Sequence, residues 1–343
     1  MIVELDQFGF VGGGLVRPEC LLTHRSGYLF TADWHEAGGV AIVSPRGQVR
    51  RLQARSAPRP MRPNGIALEP DGSFLLADLG ERERGVFRLA LDGTVEPLVE
   101  SVDGRPLPPT NFVHRDARSR LWITVSTTRT PRHLGYRPDV ADGFILLADD
   151  RGPRLVADGL GYTNECLVAP DGDSLYVNET FGRRLSRFRI GRDGSLGPKQ
   201  VMTSFGHSTY PDGLVFDAEG GLWITSIVSN RVIRVAPDGR QEVIVEDADP
   251  VHVDWVEQAY REGRLGRPHL DRNAGRVLRN ISSLAFGGAD LRTAYLGCLL
   301  GDRIAWFESP VAGHPPVHWD YDLDDLRHAI GAEQGHEGAD DGG

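Results

Sequence analysis

The stretch Tyr210–Thr225 reads YPDGLVFDAEGGLWIT, and it decides the fold because its pattern recurs along the chain. The pattern begins with a polar residue, runs through a short apolar segment to a turn, and ends in a second apolar, β-prone segment. In this copy the polar residue is Asp212. Similar segments begin at five other polar residues, which are Glu19, Asn64, Asn111, Asn164 and Ser282.

Six copies built from short strands, spaced mostly 45 to 53 residues apart, predict an all-β fold, a six-bladed β-propeller. Connecting segments such as GVFRLALDGTVEPLV from Gly85 read as strand, turn and strand, and would form the outer half of a blade. Two stacked β-sandwiches are the alternative, but a sandwich does not require a polar residue to recur in register. We expect one propeller over residues 1–332 and a disordered tail over 333–343.

One interval is longer than the others, because the copies at positions 212 and 282 start 70 residues apart. The excess falls near residues 247–276, where VDWVEQAYREG combines good helix formers, spaced apolar residues and a final glycine. This pattern predicts a short helical insertion before the last blade. A lid over the channel, a dimer contact and a surface decoration all remain open as its role.

The composition limits the partners and the compartment. A net charge of −10 argues against nucleic acid and anionic membranes as partners. The start MIVELDQFGF lacks the features of a signal peptide, and no apolar run reaches membrane-spanning length. The three cysteines read as reduced core thiols. We therefore predict a cytoplasmic protein that acts on a small molecule, with its oligomeric state left open.

The recurring polar position predicts a metal site. In a propeller the innermost strands line a central channel, so residues at one register of these strands form a ring. Every member of this ring carries an oxygen, and its two carboxylates, Glu19 and Asp212, would repel each other if they were unpaired. Carboxylate and amide oxygens suit a hard divalent cation, with Ca²⁺ first and Mg²⁺, Mn²⁺ or Zn²⁺ as alternatives. Asn and Asp also form turns at strand starts, but their recurrence in register favours a metal site.

The sequence resembles the SMP-30/gluconolactonase family, also called regucalcin-like. The matching motifs include RPE at Arg17–Glu19, DGRPLPPTN at Asp103–Asn111, TNECLVAPDGDSLYVNET at Thr163–Thr180 and LAFGGADLRTAYL at Leu284–Leu296, together with the stretch quoted first. They cover nearly the whole chain in the order found in the family. The resemblance implies a six-bladed propeller with one catalytic divalent metal, which hydrolyses lactones.

By position, the resemblance implies three metal ligands, which are Glu19, Asn164 and Asp212. It also implies that Asn111 contacts the substrate or serves as a fourth ligand. Sugar-lactonase members often carry an arginine and an aspartate around that asparagine, where this chain has Pro109 and Phe112. This departure predicts a substrate less polar than a simple sugar lactone, unless an arginine from elsewhere, such as Arg129 or Arg132, takes the missing role.

The expected chemistry is lactone hydrolysis. The metal would polarise the carbonyl, and Asp212 would accept the proton of the attacking water. We expect Asn64, Asn111 and Phe112 to contact the substrate. His207, on the loop before Asp212, would be a further acid, base or substrate contact, or a solvated bystander. A phosphotriesterase, a non-hydrolytic biosynthetic enzyme on the same scaffold and a non-catalytic calcium-binding propeller are the alternatives.

Overall fold

A computed structural model describes residues 2–80 and 84–332, and it shows six four-stranded antiparallel sheets around a central channel. A 3-10 helix at Leu5–Gln7 precedes the first strand, β1 (Gly9–Val11). Blade 1 comprises β2 (Leu21–Thr23), β3 (Leu29–Asp33), β4 (Gly39–Val43) and β5 (Val49–Gln53). Blade 2 comprises β6 (Pro63–Leu68), β7 (Phe74–Asp78), β8 (Gly85–Leu89) and β9 (Val95–Val99). A small hairpin follows, formed by β10 (Ser101–Val102) and β11 (Arg105–Pro106).

The remaining blades repeat this order. Blade 3 comprises β12 (Phe112–Arg115), β13 (Leu121–Val125), β14 (Gly143–Asp149) and β15 (Gly152–Leu160), with a 3-10 helix at Arg132–Gly135. Blade 4 comprises β16 (Thr163–Val168), β17 (Ser174–Glu179), β18 (Arg184–Arg189) and β19 (Gln200–Ser204). Blade 5 comprises β20 (Tyr210–Phe216), β21 (Leu222–Ile227), β22 (Arg231–Val235) and β23 (Gln241–Glu246). Blade 6 comprises β24 (Ile281–Gly287), β25 (Thr293–Cys298), β26 (Ile304–Glu308) and the N-terminal strand β1.

The blades close into a ring in two ways. Each innermost strand contacts the innermost strand of the next blade, and β24 of the last blade contacts β2 of the first. The N-terminal strand supplies the outer edge of blade 6, where Gly9 pairs with Trp306 and Val11 pairs with Ile304. This arrangement confirms the predicted six-bladed propeller.

The core lies between adjacent blades, where the faces of neighbouring sheets pack against each other. Trp122 and Trp223 are fully buried at equivalent places in blades 3 and 5. Their indole N–H groups donate to Asp116 at 2.9 Å and to Asp217 at 3.0 Å. An aspartate six residues before a tryptophan is thus a repeated structural element, because it satisfies an indole that would otherwise lack a partner.

The predicted insertion contains α1 (Pro250–Arg261) and α2 (Arg267–Leu270). The Asp249 side chain caps α1 by accepting the backbone N–H of His252 at 2.9 Å. The buried face of α1 packs on the aromatic side chains at the starts of the inner strands of blades 4 and 5, as Tyr210 and Tyr260 show with ring centroids 5.5 Å apart. The insertion therefore lies at the channel end where the inner strands begin.

A third helix, α3 (Asp324–Ala332), lies on the opposite side of the ring, where Leu326 and Ile330 join the core of blades 1 and 2. The predicted disordered tail at 333–343 lies outside the described residues. The three cysteines are buried and free. Of the helices in the described ranges, none has the length and apolar character needed to cross a membrane.

Candidate metal and substrate site

The structure brings the six polar residues of the sequence repeat together at one end of the channel. All are buried, and the largest exposed fraction among them is 7%, at Glu19. In four inner strands the pairing with the next strand is interrupted by a β-bulge at this position, between residues 63 and 66, 163 and 166, 211 and 214, and 281 and 283. A bulge redirects a side chain that regular pairing would place on a sheet face. These bulges account for four of the six polar side chains at the channel mouth.

Glycines follow two of the ring residues because the neighbouring inner strands approach closely there. A Cβ on Gly65 would lie 2.6 Å from the Cα of Phe112. A Cβ on Gly213 would lie 2.7 Å from the carbonyl oxygen of Ser282. The Asn-Gly and Asp-Gly pairs of the sequence thus combine a channel-facing polar residue with a position that has no room for a side chain.

The amide side chains form a directed chain of hydrogen bonds. Asn64 Nδ2 donates to the carbonyl of Asn111 at 3.1 Å, and Asn111 Nδ2 donates to Asn164 Oδ1 at 2.7 Å. Asn164 in turn donates to Thr180 Oγ1 at 2.9 Å and to the carboxylate of Asp212. The chain ends on a carboxylate, so it orients Asp212 and fixes the rotamers of its neighbours.

Two carboxyl groups at the ring, Asp212 and Glu165, lie in surroundings that disfavour their negative charge. Burial and the carboxylates of Glu19 and Glu165 raise the pKa of Asp212 well above its ordinary value, although the guanidinium of Arg17 opposes this effect. Arg17 Nη2 lies 2.8 Å from Glu19 Oε2. Burial, together with the charge of Glu19, raises the pKa of Glu165 to about 8, although the backbone N–H of Leu214 opposes this rise. Several buried carboxyl groups thus lie close together, with the positive charge of the Arg17 guanidinium beside them.

The donor set fits a divalent cation. Asn64 Oδ1 is buried without a hydrogen-bond partner among the described residues, and Glu19 Oε2 has the Arg17 guanidinium beside it, so both oxygens can ligate a cation. No three His, Cys, Asp or Glu side chains of residues 2–80 and 84–332 form a metal-binding group by themselves, so the ring depends on amide oxygens. An all-oxygen set of carboxylates and amides is the chemistry that Ca²⁺ and Mg²⁺ prefer. Glu19, Asn164 and Asp212 would hold such a cation, with Asn111 beside them.

Two further residues shape the ring without offering a ligand. Ser282 uses its hydroxyl to donate to the carbonyl of Glu19 at 3.0 Å, so it joins blades 6 and 1. Asn178, which has no exposed surface, donates to the carbonyls of Asp212 at 3.0 Å and Gly213 at 3.1 Å. Asn178 therefore positions the backbone that carries Asp212.

The structure does not bring every proposed site residue to the ring. His207 lies 3.3 Å from Asp254 of α1, and its side chain is 46% exposed. Phe112 follows the ring residue Asn111 and lines a cavity of about 630 Å³ inside the channel, together with Cys20 and Glu165. Phe112 thus lines the interior of the channel, and its contact with the substrate remains a prediction.

Two arginines lie at the channel mouth, and one of them, Arg132, is a residue that the sequence offered for the missing arginine role. Arg132 Nη2 donates to Asn111 Oδ1 at 3.0 Å and to Ser126 Oγ at 3.1 Å, and its guanidinium lies 5.7 Å from the ring centroid of Tyr162. Arg17 stacks 4.5 Å over Trp34. Arg132 thus supplies a guanidinium next to Asn111, from the loop between β13 and β14, which the motif around Pro109 lacks.

Sequence reasoning missed Arg17 and Glu165 as members of the site. Both stand inside the quoted motifs, Arg17 two residues before Glu19 in RPE and Glu165 directly after Asn164 in TNEC, so these positions were the available signal. Alternation along a regular strand would place Glu165 on the other face from Asn164, but the bulge between residues 163 and 166 changes that alternation. Arg17 precedes the first strand of its blade and has left-handed backbone, with φ of 57°.

The fold and site define a class: a six-bladed propeller whose channel mouth carries a ring of buried carboxylate and amide oxygens. A family model described as SMP-30/Gluconolactonase/LRE-like region matches residues 18–249. The chain belongs to this family, which is one of lactonase-like hydrolases.

Relatives agree with this assignment. A 6-deoxy-6-sulfogluconolactonase from Pseudomonas putida is 26% identical over 265 residues, which are 76% of this chain and 75% of that protein. Among solved structures, a gluconolactonase from Xanthomonas campestris superposes with a TM-score of 0.62 at 20% identity, covering 87% of this chain and 88% of its own. The calcium-binding protein regucalcin from Agrobacterium tumefaciens superposes with a TM-score of 0.63 at 18% identity, covering 89% and 95%. At these identities the two structures show the shared fold.

Proposed function

We propose that this chain is a divalent-metal-dependent hydrolase that opens the ring of a lactone. The observation that carries the proposal is the convergence of Glu19 and Asp212 with the amide of Asn164, where burial and like charge raise the pKa of Asp212. A cation removes that repulsion, and Ca²⁺ is our first choice because every donor is a hard oxygen. The gluconolactonase and sulfogluconolactonase relatives, and the relative described as calcium-binding, support the same reaction class and ion.

The residues of the ring have different roles in the proposed reaction. When bound, the metal would polarise the lactone carbonyl as a Lewis acid. Asp212 accepts the proton of the attacking water, since Asn164 and Asn178 hold its side chain and backbone at the channel mouth. Water adds to the carbonyl carbon, the ring C–O bond breaks, and the ring oxygen leaves as a hydroxyl after it takes a proton. The product is a hydroxy acid.

The polarity of the substrate is the finer part of the proposal. Pro109 and Phe112 predicted a lactone less polar than a simple sugar lactone. Phe112 lines the inner channel, and Arg132 lies on Asn111 at the mouth, so the site offers a guanidinium in place of an apolar wall. This placement favours a substrate with polar substituents. A small-molecule substrate and a cytoplasmic location remain predictions from the sequence.

A lactone panel with and without chelator tests the proposal. Purified protein should hydrolyse at least one lactone in the presence of Ca²⁺, Mg²⁺, Mn²⁺ or Zn²⁺, lose the activity in EDTA and regain it on readdition of the ion. Asp212→Asn should lose most of the turnover, because an amide does not accept the proton. Asp254→Asn, an exposed carboxylate on α1, is the matched control. Hydrolysis that persists in EDTA, or turnover by Asp212→Asn near that of wild type, would contradict the proposal. Hydrolysis of phosphotriesters alone would favour the rival reaction.

A further inference from the structure

We infer that the substrate carries an anionic group, a carboxylate, phosphate or sulfonate, and that Arg132 binds it. The inference rests on the proposed lactonase function, because it names the class of lactone that this site takes. It depends on the environment of one guanidinium at the ring.

Arg132 has no carboxylate partner among the residues that the structure describes. Several other arginines do pair at short distance with buried acids, as Arg120 does with Asp116 at 2.7 Å and Arg234 with Asp217 at 2.6 Å. Within residues 2–80 and 84–332, Arg132 makes hydrogen bonds only to the neutral oxygens of Asn111 and Ser126. A half-buried cation with neutral partners alone is a costly arrangement unless a ligand completes it.

The guanidinium also has donor capacity left over. Both of its hydrogen bonds to described residues use Nη2, while its Nε–H is buried without an acceptor. The face of Tyr162, the Asn111 amide and the Ser126 hydroxyl hold the guanidinium plane in place before any ligand arrives. A fixed guanidinium with a free edge suits the planar or tetrahedral oxygens of an anion, which it binds through charge-assisted hydrogen bonds.

The position of Arg132 also orients the ligand. Asn111 separates Arg132 from Asn164, and Asn164 touches Asp212. The reacting carbonyl belongs beside the carboxylates, so the anionic substituent lies on the blade 3 side of the mouth. Arg17, the other arginine at the ring, already pairs with Glu19. The anionic group of the substrate therefore lies against Arg132, and the reacting ester lies on the other side of the site, near the carboxylate pair.

Matched lactone pairs that differ in charge test this inference. Glucono-1,5-lactone is compared with 6-phosphoglucono-1,5-lactone, and glucono-1,4-lactone with glucaro-1,4-lactone, which carries a carboxylate. A sulfonated gluconolactone forms the third arm, so the relative rates identify which anion fits. Wild type should prefer an anionic member at least about 10-fold in kcat/KM, the lower end of what a charge-assisted hydrogen bond provides.

Variants of Arg132 distinguish binding of the anionic group from positioning of Asn111. Arg132→Met should lower kcat/KM for the anionic lactone about 30- to 100-fold and that for its neutral partner less than about 5-fold. Arg132→Lys should recover part of the preference, because it restores the charge without the planar edge. Arg129→Met, on the same loop, alters an arginine whose side chain is 49% exposed and should leave the preference unchanged. Equal losses for the charged and neutral lactones would show that Arg132 only positions Asn111, and would overturn the inference.

A binding measurement decides the inference independently of turnover. By calorimetry, 6-phosphogluconate should bind wild type and Arg129→Met at least about 10-fold more tightly than gluconate, and this advantage should disappear in Arg132→Met. An advantage that survives Arg132→Met overturns the inference, and so does the absence of any anion preference both in this measurement and among the lactone pairs. If this preference is present but no lactone of either charge is hydrolysed with any divalent ion, the proposed function fails while anion binding by Arg132 stands.

Discussion

Replacing Asp212 with asparagine should stabilise the metal-free protein. Burial, the Glu19 carboxylate and the Glu165 carboxylate raise the pKa of Asp212 well above its ordinary value, so the folded state disfavours its charge. A carboxyl whose pKa is raised on folding makes the protein most stable at low pH, and this stability is lost as pH rises from the unfolded pKa near about 4 towards the folded pKa. Asparagine removes the charge and keeps an oxygen that accepts the hydrogen bond of Asn164.

The expected gain at pH 7 is roughly 2–4 kcal/mol, which is the scale of a buried carboxylate that is only partly compensated by Arg17. Unfolding entropy scales with length, so for 343 residues each kcal/mol moves Tm by about 1.4 °C. The melting temperature in chelator should therefore rise by about 3–6 °C. Saturating Ca²⁺ should narrow this difference, because wild type gains about 2.7 kcal/mol at a hundred times Kd and the variant gains less.

Differential scanning calorimetry of both proteins at pH 5 and pH 7, each in EDTA and in CaCl₂, measures these effects. The advantage of Asp212→Asn in EDTA should shrink at pH 5, where Asp212 of wild type holds its proton more often. Asp254→Asn controls for the loss of an exposed charge. A lower melting temperature for Asp212→Asn in EDTA, combined with an undiminished Ca²⁺ shift, would refute the reasoning that the ring is built around a cation.

Three further outcomes are expected. Glu19→Gln should weaken Ca²⁺ binding by more than about 10-fold in calorimetry while kcat at saturating metal falls less than in the Asp212 variant; unchanged affinity would remove Glu19 from the ligand set. Although burial raises the pKa of Glu257, its pairing with Arg183 lowers that pKa to about 2, so this pair stabilises the fold above about pH 5 and the effect is lost as pH falls towards 2. Glu257→Gln should lower the free energy of unfolding by about 3 kcal/mol at pH 7, and the variant should lose less stability than wild type as pH falls from about 5 to about 2. An unchanged dependence of stability on pH would contradict the pairing. Gly213→Ala should lower stability by about 2 kcal/mol and weaken metal binding, whereas Gly206→Ala, which meets no atom within 4 Å, should do neither.

The sequence predicted the propeller because each blade of the fold corresponds to one copy of a repeat in the sequence. Asn64 and Asp212 could be assigned to one ring since their register recurs at the blade period. The bulges beneath them could not be predicted, because a bulge depends on how closely the next inner strand approaches. Arg132 reaches Asn111 from a loop twenty-one residues later, a distance in space that no local pattern encodes.

The pairing of β1 with β26 has a consequence for how the protein is made. The strand β1 leaves the ribosome long before its partner Ile304–Glu308 is synthesised. Until that segment emerges, Gly9–Val11 has no sheet to join and the nascent ring has an open seam. Contacts between residues so distant in the chain form slowly, because a long loop must close before they yield any stabilisation. Circular permutation that joins β1 directly after β26 would make this contact local, and the seam could then close as soon as blade 6 is complete.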